Sequence, residues 1–163
     1  MKKLNVVKLI IAILIPLLVG GLSAFLTKDA MVMFDAIKKP PLSPPGIVFP
    51  IVWSILYVLM GIARYSLYNL DEQKLSEEQI KFRNYTLVIY DIQLFFNFFW
   101  SIIFFKFSMY KVAFLWLIIL WVLVFIFIKN ALKLNKISAY LMIPYLLWIT
   151  FAGYLNVAIA ILN

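Results

Sequence analysis

The sequence predicts an all-α, polytopic membrane protein, a bundle of five transmembrane helices, and three observations carry that expectation. Hydrophobic residues make up 66% of the 163-residue chain, charged residues only 13%, and mean hydropathy is +1.01. A soluble domain is about 45–50% apolar and about 25% charged, so this chain has too few charges to cover its own surface in water. Second, five apolar runs each reach the roughly 20 residues that a bilayer crossing requires. Third, the runs are continuous and lack the two-residue alternation of a barrel strand.

The expected helices cover about residues 4–26, 48–68, 77–105, 112–130 and 137–162 of a single membrane domain spanning 1–163. The first run follows Lys2 and Lys3, with Gly21 and Ser23 as small residues further on. That pattern overlaps with a signal peptide. The run exceeds the usual signal core of about 7–15 residues, however, and leads into more apolar sequence, so it is assigned as a span. Residues 27–47 form a long loop with Pro40, Pro41, Pro44 and Pro45 ahead of Gly46. Proline removes the amide donor and restricts the preceding residue, which makes this stretch an extended, semi-rigid strap.

The third helix should begin before the membrane. Ser76-Glu77-Glu78-Gln79 has the spacing of a capping box, and its acidic first turn suits the helix dipole. The fourth span is the purest, with fourteen Leu, Ile, Val or Phe among the seventeen residues from Val112 to Ile128. In the fifth, Pro144 frees the carbonyl of Tyr140 and predicts a kink.

Charge sets the expected orientation. Lys2, Lys3, Lys8, Arg64, Lys74, Lys81, Arg83, Lys129, Lys133 and Lys136 fall on one side, while the other has Lys28, Lys38, Lys39, Lys106 and Lys111. Ten against five puts the N-terminus in the cytoplasm and the C-terminus and proline loop outside, in what is expected to be a bacterial cell membrane. The net charge of +8 is scattered between apolar runs, so it is attributed to topology and phospholipid contact, with no nucleic-acid partner. Histidine and cysteine are both absent. Without them the chain lacks the usual zinc, copper, iron-sulfur and haem ligands and the commonest general base, so no metal site and no resident cofactor are expected.

Polar and aromatic residues recur at helical spacing in three spans. The second helix carries Trp53, Tyr57, Gly61 and Arg64 on one face; the third carries Tyr90, Gln93, Asn97 and Trp100; the fifth carries Tyr145, Trp148, Ala152 and Asn156. If these faces converge, they enclose a flat-walled pocket with a few hydrogen-bonding groups, and Gly61 and Ala152 leave space in it. The alternatives are interhelical packing, hydrogen-bond glue at Asn97 and Asn156, and an aromatic belt at Trp53 and Trp148. Asp91 is the one carboxylate well inside a predicted span, about 100° around the helix from Tyr90. Three readings stay open for it: an ion pair with a lysine or arginine, a protonated carboxyl, or a proton-coupling site.

Three segments together resemble the translocator protein family, TspO/MBR, also called tryptophan-rich sensory proteins or peripheral benzodiazepine receptors. They are Lys39-Pro40-Pro41-Leu42-Ser43-Pro44-Pro45-Gly46 with Phe49-Pro50-Ile51-Val52-Trp53 and the following helix; Gln93-Leu94-Phe95-Phe96-Asn97-Phe98-Phe99-Trp100; and Pro144-Tyr145-Leu146-Leu147-Trp148 through Phe151-Ala152-Gly153-Tyr154-Leu155-Asn156. The resemblance implies a five-helix bundle, often a homodimer, that binds porphyrins such as protoporphyrin IX and, in some members, benzodiazepine-type drugs or cholesterol. By motif position it implies ligand contacts at Pro44, Trp53, Tyr57, Asn97, Trp100, Trp148, Ala152 and Leu155. It also implies Trp53 and Trp148 as candidate catalytic residues if bound porphyrin is broken down in light.

The chain departs from the family pattern in its loop. Met33-Phe34 stands where Trp-Tyr is common, and Leu42 stands where a tryptophan usually lies between the prolines. No basic residue follows Lys136, so the C-terminal cholesterol motif of animal members is absent. The leading expectation is a membrane translocator or sensor that binds a tetrapyrrole or benzodiazepine-type ligand and is not a conventional enzyme. The alternatives are a photo-oxidative porphyrin-degrading enzyme and a small proton-coupled exporter using Asp91.

Overall fold

The computed structural model describes residues 4–30 and 36–163. Five long helices account for most of them: α1 (Val6–Thr27), α2 (Val48–Tyr68), α3 (Glu77–Ser101), α4 (Tyr110–Leu134) and α5 (Lys136–Leu162). All five are long and apolar enough to cross a membrane, with α3 running into a further turn to Lys106. Each leaves most of its surface outward, α1 above all, where only 17% of the span is buried. A row of exposed Leu, Ile, Val and Phe along every helix is what a lipid solvent permits. Met33 and Phe34 lie outside the described residues, as do Lys2 and Lys3.

The helices close into a ring in the order α1, α2, α5, α4, α3 and back to α1. Chain neighbours α2 and α3 therefore meet only weakly, across the ring. One end gathers the N-terminus, the α2–α3 connection and the α4–α5 junction: Tyr65 on α2 accepts a hydrogen bond from the Asn5 amide, and Asn135 donates to the Ser66 carbonyl. The other end holds the proline loop, which exchanges two hydrogen bonds with Asn163 at the end of α5.

Local chemistry sets the helix ends. Ser76 and Gln79 form the expected reciprocal box at the start of α3. The α4–α5 joint is a single residue, Asn135, whose side chain caps α5 by accepting from Ile137 and Ser138 while its own amide completes α4 at Ala131. The end of α3 differs from the expectation of one helix to about residue 105. At Ile102–Lys106 the winding widens to a π turn, closed by the Phe107 amide on the Ile102 carbonyl at 3.1 Å. Helix α4 runs from Tyr110 to Leu134, beyond the expected 112–130 at both ends.

Helix α1 is held by glycines. A methyl group built on Gly61 would lie 2.5 Å from the Ile13 Cα and 2.6 Å from the Ala12 carbonyl oxygen. Pro16 lacks the amide that would have bonded that Ala12 carbonyl, so the freed oxygen sits against the one α2 position without a side chain. The space expected at Gly61 is therefore occupied by the backbone of α1. Gly20 likewise faces the ring of Tyr57, which its own side chain would overlap.

Gly61→Ala should force the two backbones apart and destabilise the protein by about 1–3 kcal/mol, the usual cost of overpacking. Gly21, with nothing within 4 Å of an added methyl, supplies the control: Gly21→Ala should be neutral or slightly stabilising. Thermal unfolding of both variants in one detergent checks the contrast.

Candidate ligand site

Asn97 lies at the centre of the ring. Its carboxamide oxygen accepts from the Tyr57 hydroxyl at 2.8 Å, and its amide nitrogen donates to the Tyr145 hydroxyl at 2.9 Å. One side chain thus joins α3 to α2 and α5, two helices that are not its neighbours in the ring. Tyr145 is fully enclosed and Asn97 nearly so, at 0% and 1% exposure. The amide–hydroxyl contacts are interhelical bonds in a dry interior, where a missing partner leaves a desolvated polar atom.

A second polar layer lies one turn nearer the loop. The Trp100 indole donates to Asn156 at 3.2 Å, and Asn156 donates in turn to the Tyr110 carbonyl at 2.7 Å. Phe104, carried by the π turn, stacks on Trp100 with ring centroids 5.3 Å apart. Between and beside these layers the wall is aromatic: Trp53 stacks on Tyr57 at 5.4 Å and meets Tyr145 edge-on at 6.0 Å. Tyr57, Trp100, Ala152 and Leu155 keep 6–8% exposure, whereas the polar residues Asn97 and Asn156 keep at most 1%. The amides are thus more completely enclosed than the aromatic and small residues beside them.

Of the residues singled out from sequence, Trp53, Tyr57, Asn97, Trp100, Ala152 and Leu155 face this inner region, although Trp53 is only half-buried. Trp148 stands apart from them. It lies in the α2–α5 seam with Phe49 edge-on at 6.1 Å and Phe151 at 5.7 Å, and it lines a hollow of about 460 Å³ with Val52, Leu56 and Pro144. Pro44 is half-buried in the loop. Two further hollows, about 560 Å³ between α4 and α5 and about 400 Å³ between α1 and α3, also open on the outer surface. None of the three is lined by Tyr57, Asn97, Trp100 or Leu155.

The loop is fastened over the same end of α5. Tyr154 donates to the Pro41 carbonyl at 2.9 Å, and Asn163 both accepts from the Lys38 amide and donates to its carbonyl. Between these ties the chain turns sharply, with the Ser43 amide on the Pro40 carbonyl and Leu42 at φ 68°. Proline second and a positive-φ residue third is a type II pattern that normally selects glycine or asparagine there. Leu42 is 80% exposed and extends into the surroundings.

Asp91 has a partner that sequence left open. Arg64 Nε lies 3.0 Å from Oδ1 and Nη2 3.1 Å from Oδ2, a two-pronged pair between α2 and α3. The guanidinium also lies 5.7 Å from the centre of the Tyr90 ring. Arg64 is one turn from the end of α2, within reach of the interface, which lowers the cost of keeping both charges. Sequence reasoning placed Arg64 on the stripe of Trp53 and Tyr57 and omitted Tyr145 from the contact residues. The spacing of Tyr145 with Ala152 and Asn156 was the available signal for the latter. Among the described residues no cluster of three metal-binding side chains occurs. The other two tryptophans pin helices: Trp116 donates to the Phe96 carbonyl and Trp121 to the Thr150 hydroxyl, each at 2.8 Å.

Fold and interior define a multi-pass membrane protein whose centre is built from aromatic rings and carboxamides. Residues 12–162 match the TspO/MBR family. The chain is 32% identical to the tryptophan-rich protein TspO of Archaeoglobus fulgidus over 161 residues, covering 98% of this chain and 99% of that one. It is 31% identical to the tryptophan-rich protein TspO of Chlorobaculum tepidum over 86% of this chain and 85% of the other. With protein CrtK of Rhodobacter capsulatus the identity is 32%, over 80% and 78% of the two chains. The protein belongs to the TspO/MBR family.

Asn97→Leu strands two buried phenol hydroxyls and should cost about 2–6 kcal/mol, from roughly 1–3 kcal/mol for each unsatisfied group. In a Tyr57→Phe/Tyr145→Phe background the same change should cost much less, a coupling that thermal unfolding of the four proteins measures. At the ion pair, Arg64→Leu or Asp91→Leu alone should lower the unfolding midpoint more than the double replacement, because each single change leaves one charge without its counter-ion. Equal or larger loss in the double variant would show that the two charges act separately.

Proposed function

We propose that this protein is a membrane receptor or carrier for a flat, amphipathic tetrapyrrole of the protoporphyrin IX class, and that benzodiazepine-type ligands compete for the same place. The ligand stacks against the aromatic wall of α2, α3 and α5, with Pro44 and the proline loop as its cover. The observation that carries this reading is the arrangement at Trp53: it is stacked on Tyr57, edge-on to Tyr145 and itself half-exposed at the edge of the aromatic wall. Stacking of this kind contributes about 0.5–1.5 kcal/mol per ring pair beyond simple burial. Lys38, exposed on the loop, is suited to meet a propionate at the membrane surface.

The cover is held by hydrogen bonds at exposed positions, Tyr154 to Pro41 and Asn163 to Lys38, so entry requires few bonds to break. Metal-free porphyrin is the better ligand, because a chain without histidine or cysteine offers no ordinary axial donor to iron. The protein is assigned to the cell membrane as a homodimer with its N-terminus cytoplasmic, the side on which ten of its fifteen basic residues fall.

Titration of purified protein with protoporphyrin IX and with haem, followed by absorbance and tryptophan quenching, tests the assignment. Saturable binding should be tighter for the metal-free compound, and Trp53→Leu should weaken it about tenfold, the equivalent of about 1.4 kcal/mol. Unsaturable binding, an iron-ligation spectrum with haem, or a Trp53→Leu variant of unchanged affinity would overturn it.

A further inference from the structure

On the inner face of α3 burial and hydrogen bonding disagree at Gln93 and Tyr90. Gln93 is 0% exposed, yet neither its amide nitrogen nor its carbonyl oxygen has a partner among the described residues. The Tyr90 hydroxyl, on the same helix three residues earlier, is equally enclosed and equally unmatched. Tyr90, Gln93 and Asn97 follow one another at helical spacing, so these atoms lie on the same face directly below the Asn97 centre. Buried polar atoms in folded proteins are paired almost without exception, with protein or with ordered water.

We propose that Gln93 and Tyr90 together hold a buried water, which extends the Tyr57–Asn97–Tyr145 centre one turn toward the cytoplasmic end. The inventory of donors and acceptors selects the occupant. The carboxamide offers N–H donors beside a carbonyl acceptor, and the phenol offers both roles, which is the complement of a molecule that donates twice and accepts twice. A buried water makes about three such bonds. An apolar occupant would leave all three atoms unmatched. An ion is disfavoured because the nearest charges, Arg64 and Asp91, already neutralise each other in a two-pronged pair. The Tyr90 ring is held by contacts with Phe127 at 5.7 Å and with the Arg64 guanidinium at 5.7 Å, which limits where its hydroxyl can lie. The water lies outside the aromatic wall and remains when the ligand site is empty or filled.

Two measurements on ligand-free protein test this, so their outcome is independent of whether porphyrin binds. In a double-mutant cycle of Gln93→Leu and Tyr90→Phe, each single variant should lower the unfolding midpoint. The double variant should lower it by clearly less than the sum, since both changes empty the same hydration site. Additive shifts, or a Gln93→Leu protein with a raised midpoint, would overturn the proposal. A structure of the unaltered protein at a resolution that reveals waters should show density within hydrogen-bond distance of Gln93 and Tyr90. A dry, well-ordered Gln93 there would overturn it even if the variants fail to fold.

Discussion

The rest of the interior depends on a single carboxamide. Asn97 accepts from one phenol and donates to another, and those phenols come from α2 and α5, the two helices across the ring from α3. In lipid, helices gain nothing by hiding apolar surface from a solvent that is equally apolar, so close packing and interhelical hydrogen bonds decide how each one is rotated. Because an amide has a fixed direction of donor and acceptor, the Asn97 pair of bonds sets the rotation of α2 and α5 together. The stacking of Trp53 on Tyr57, and its edge contact with Tyr145, follow from that choice. The aromatic wall is thus a consequence of the same bonds that hold the bundle, so under the proposed function substitutions at the centre change binding and stability at once.

Close packing supplies the other half of the constraint. Helix α1 is the least buried span and carries no ion pair among the described residues, yet it approaches α2 to the limit that backbone atoms allow at Gly61 and meets the Tyr57 ring at Gly20. The approach closes the side of the ring opposite α4. It also explains a pattern that has no chemical meaning by itself: a proline inside α1 and a glycine inside α2 are two parts of one contact, the carbonyl that Pro16 releases and the surface that Gly61 keeps bare.

Much of this was legible in the sequence, for reasons specific to each feature. The spans follow from apolar run length, and the start of α3 from the Ser76–Gln79 spacing, because both are determined by local chain chemistry. The inward faces of α2, α3 and α5 follow from helical periodicity. What periodicity cannot supply is which faces meet. The ring order places α5 between α2 and α4, and only that order turns Tyr145 into a partner of Asn97 and Trp148 into a residue of the α2–α5 seam. The role of Gly61 was misjudged on the same ground: a missing side chain leaves a gap in one helix, but the neighbour decides whether the gap is filled. The π turn at the end of α3 left no signal in hydropathy, since Ile102-Ile103-Phe104-Phe105 is as apolar as any helix and only the amides of Phe107 and Met109 record the change of winding.

The ion pair and the aromatic centre are linked through α3, and this bears on what the acid within that span can do. Asp91 is held by two guanidinium nitrogens, and the same guanidinium lies over Tyr90, whose neighbour on the inner face is Gln93. An acid that cycles its proton during transport must exchange a stabilising partner for water or substrate in each cycle, and it needs other titratable groups to pass the proton along. Here the carboxylate is matched by a guanidinium in a planar, two-pronged pair, and the next groups inward are a phenol and amides. The arrangement suits a fixed clamp between α2 and α3 near the membrane surface. It holds from outside the same two helices that Asn97 and Tyr57 join within, and under the proposed function it leaves the recognition of a ligand to stacking and shape.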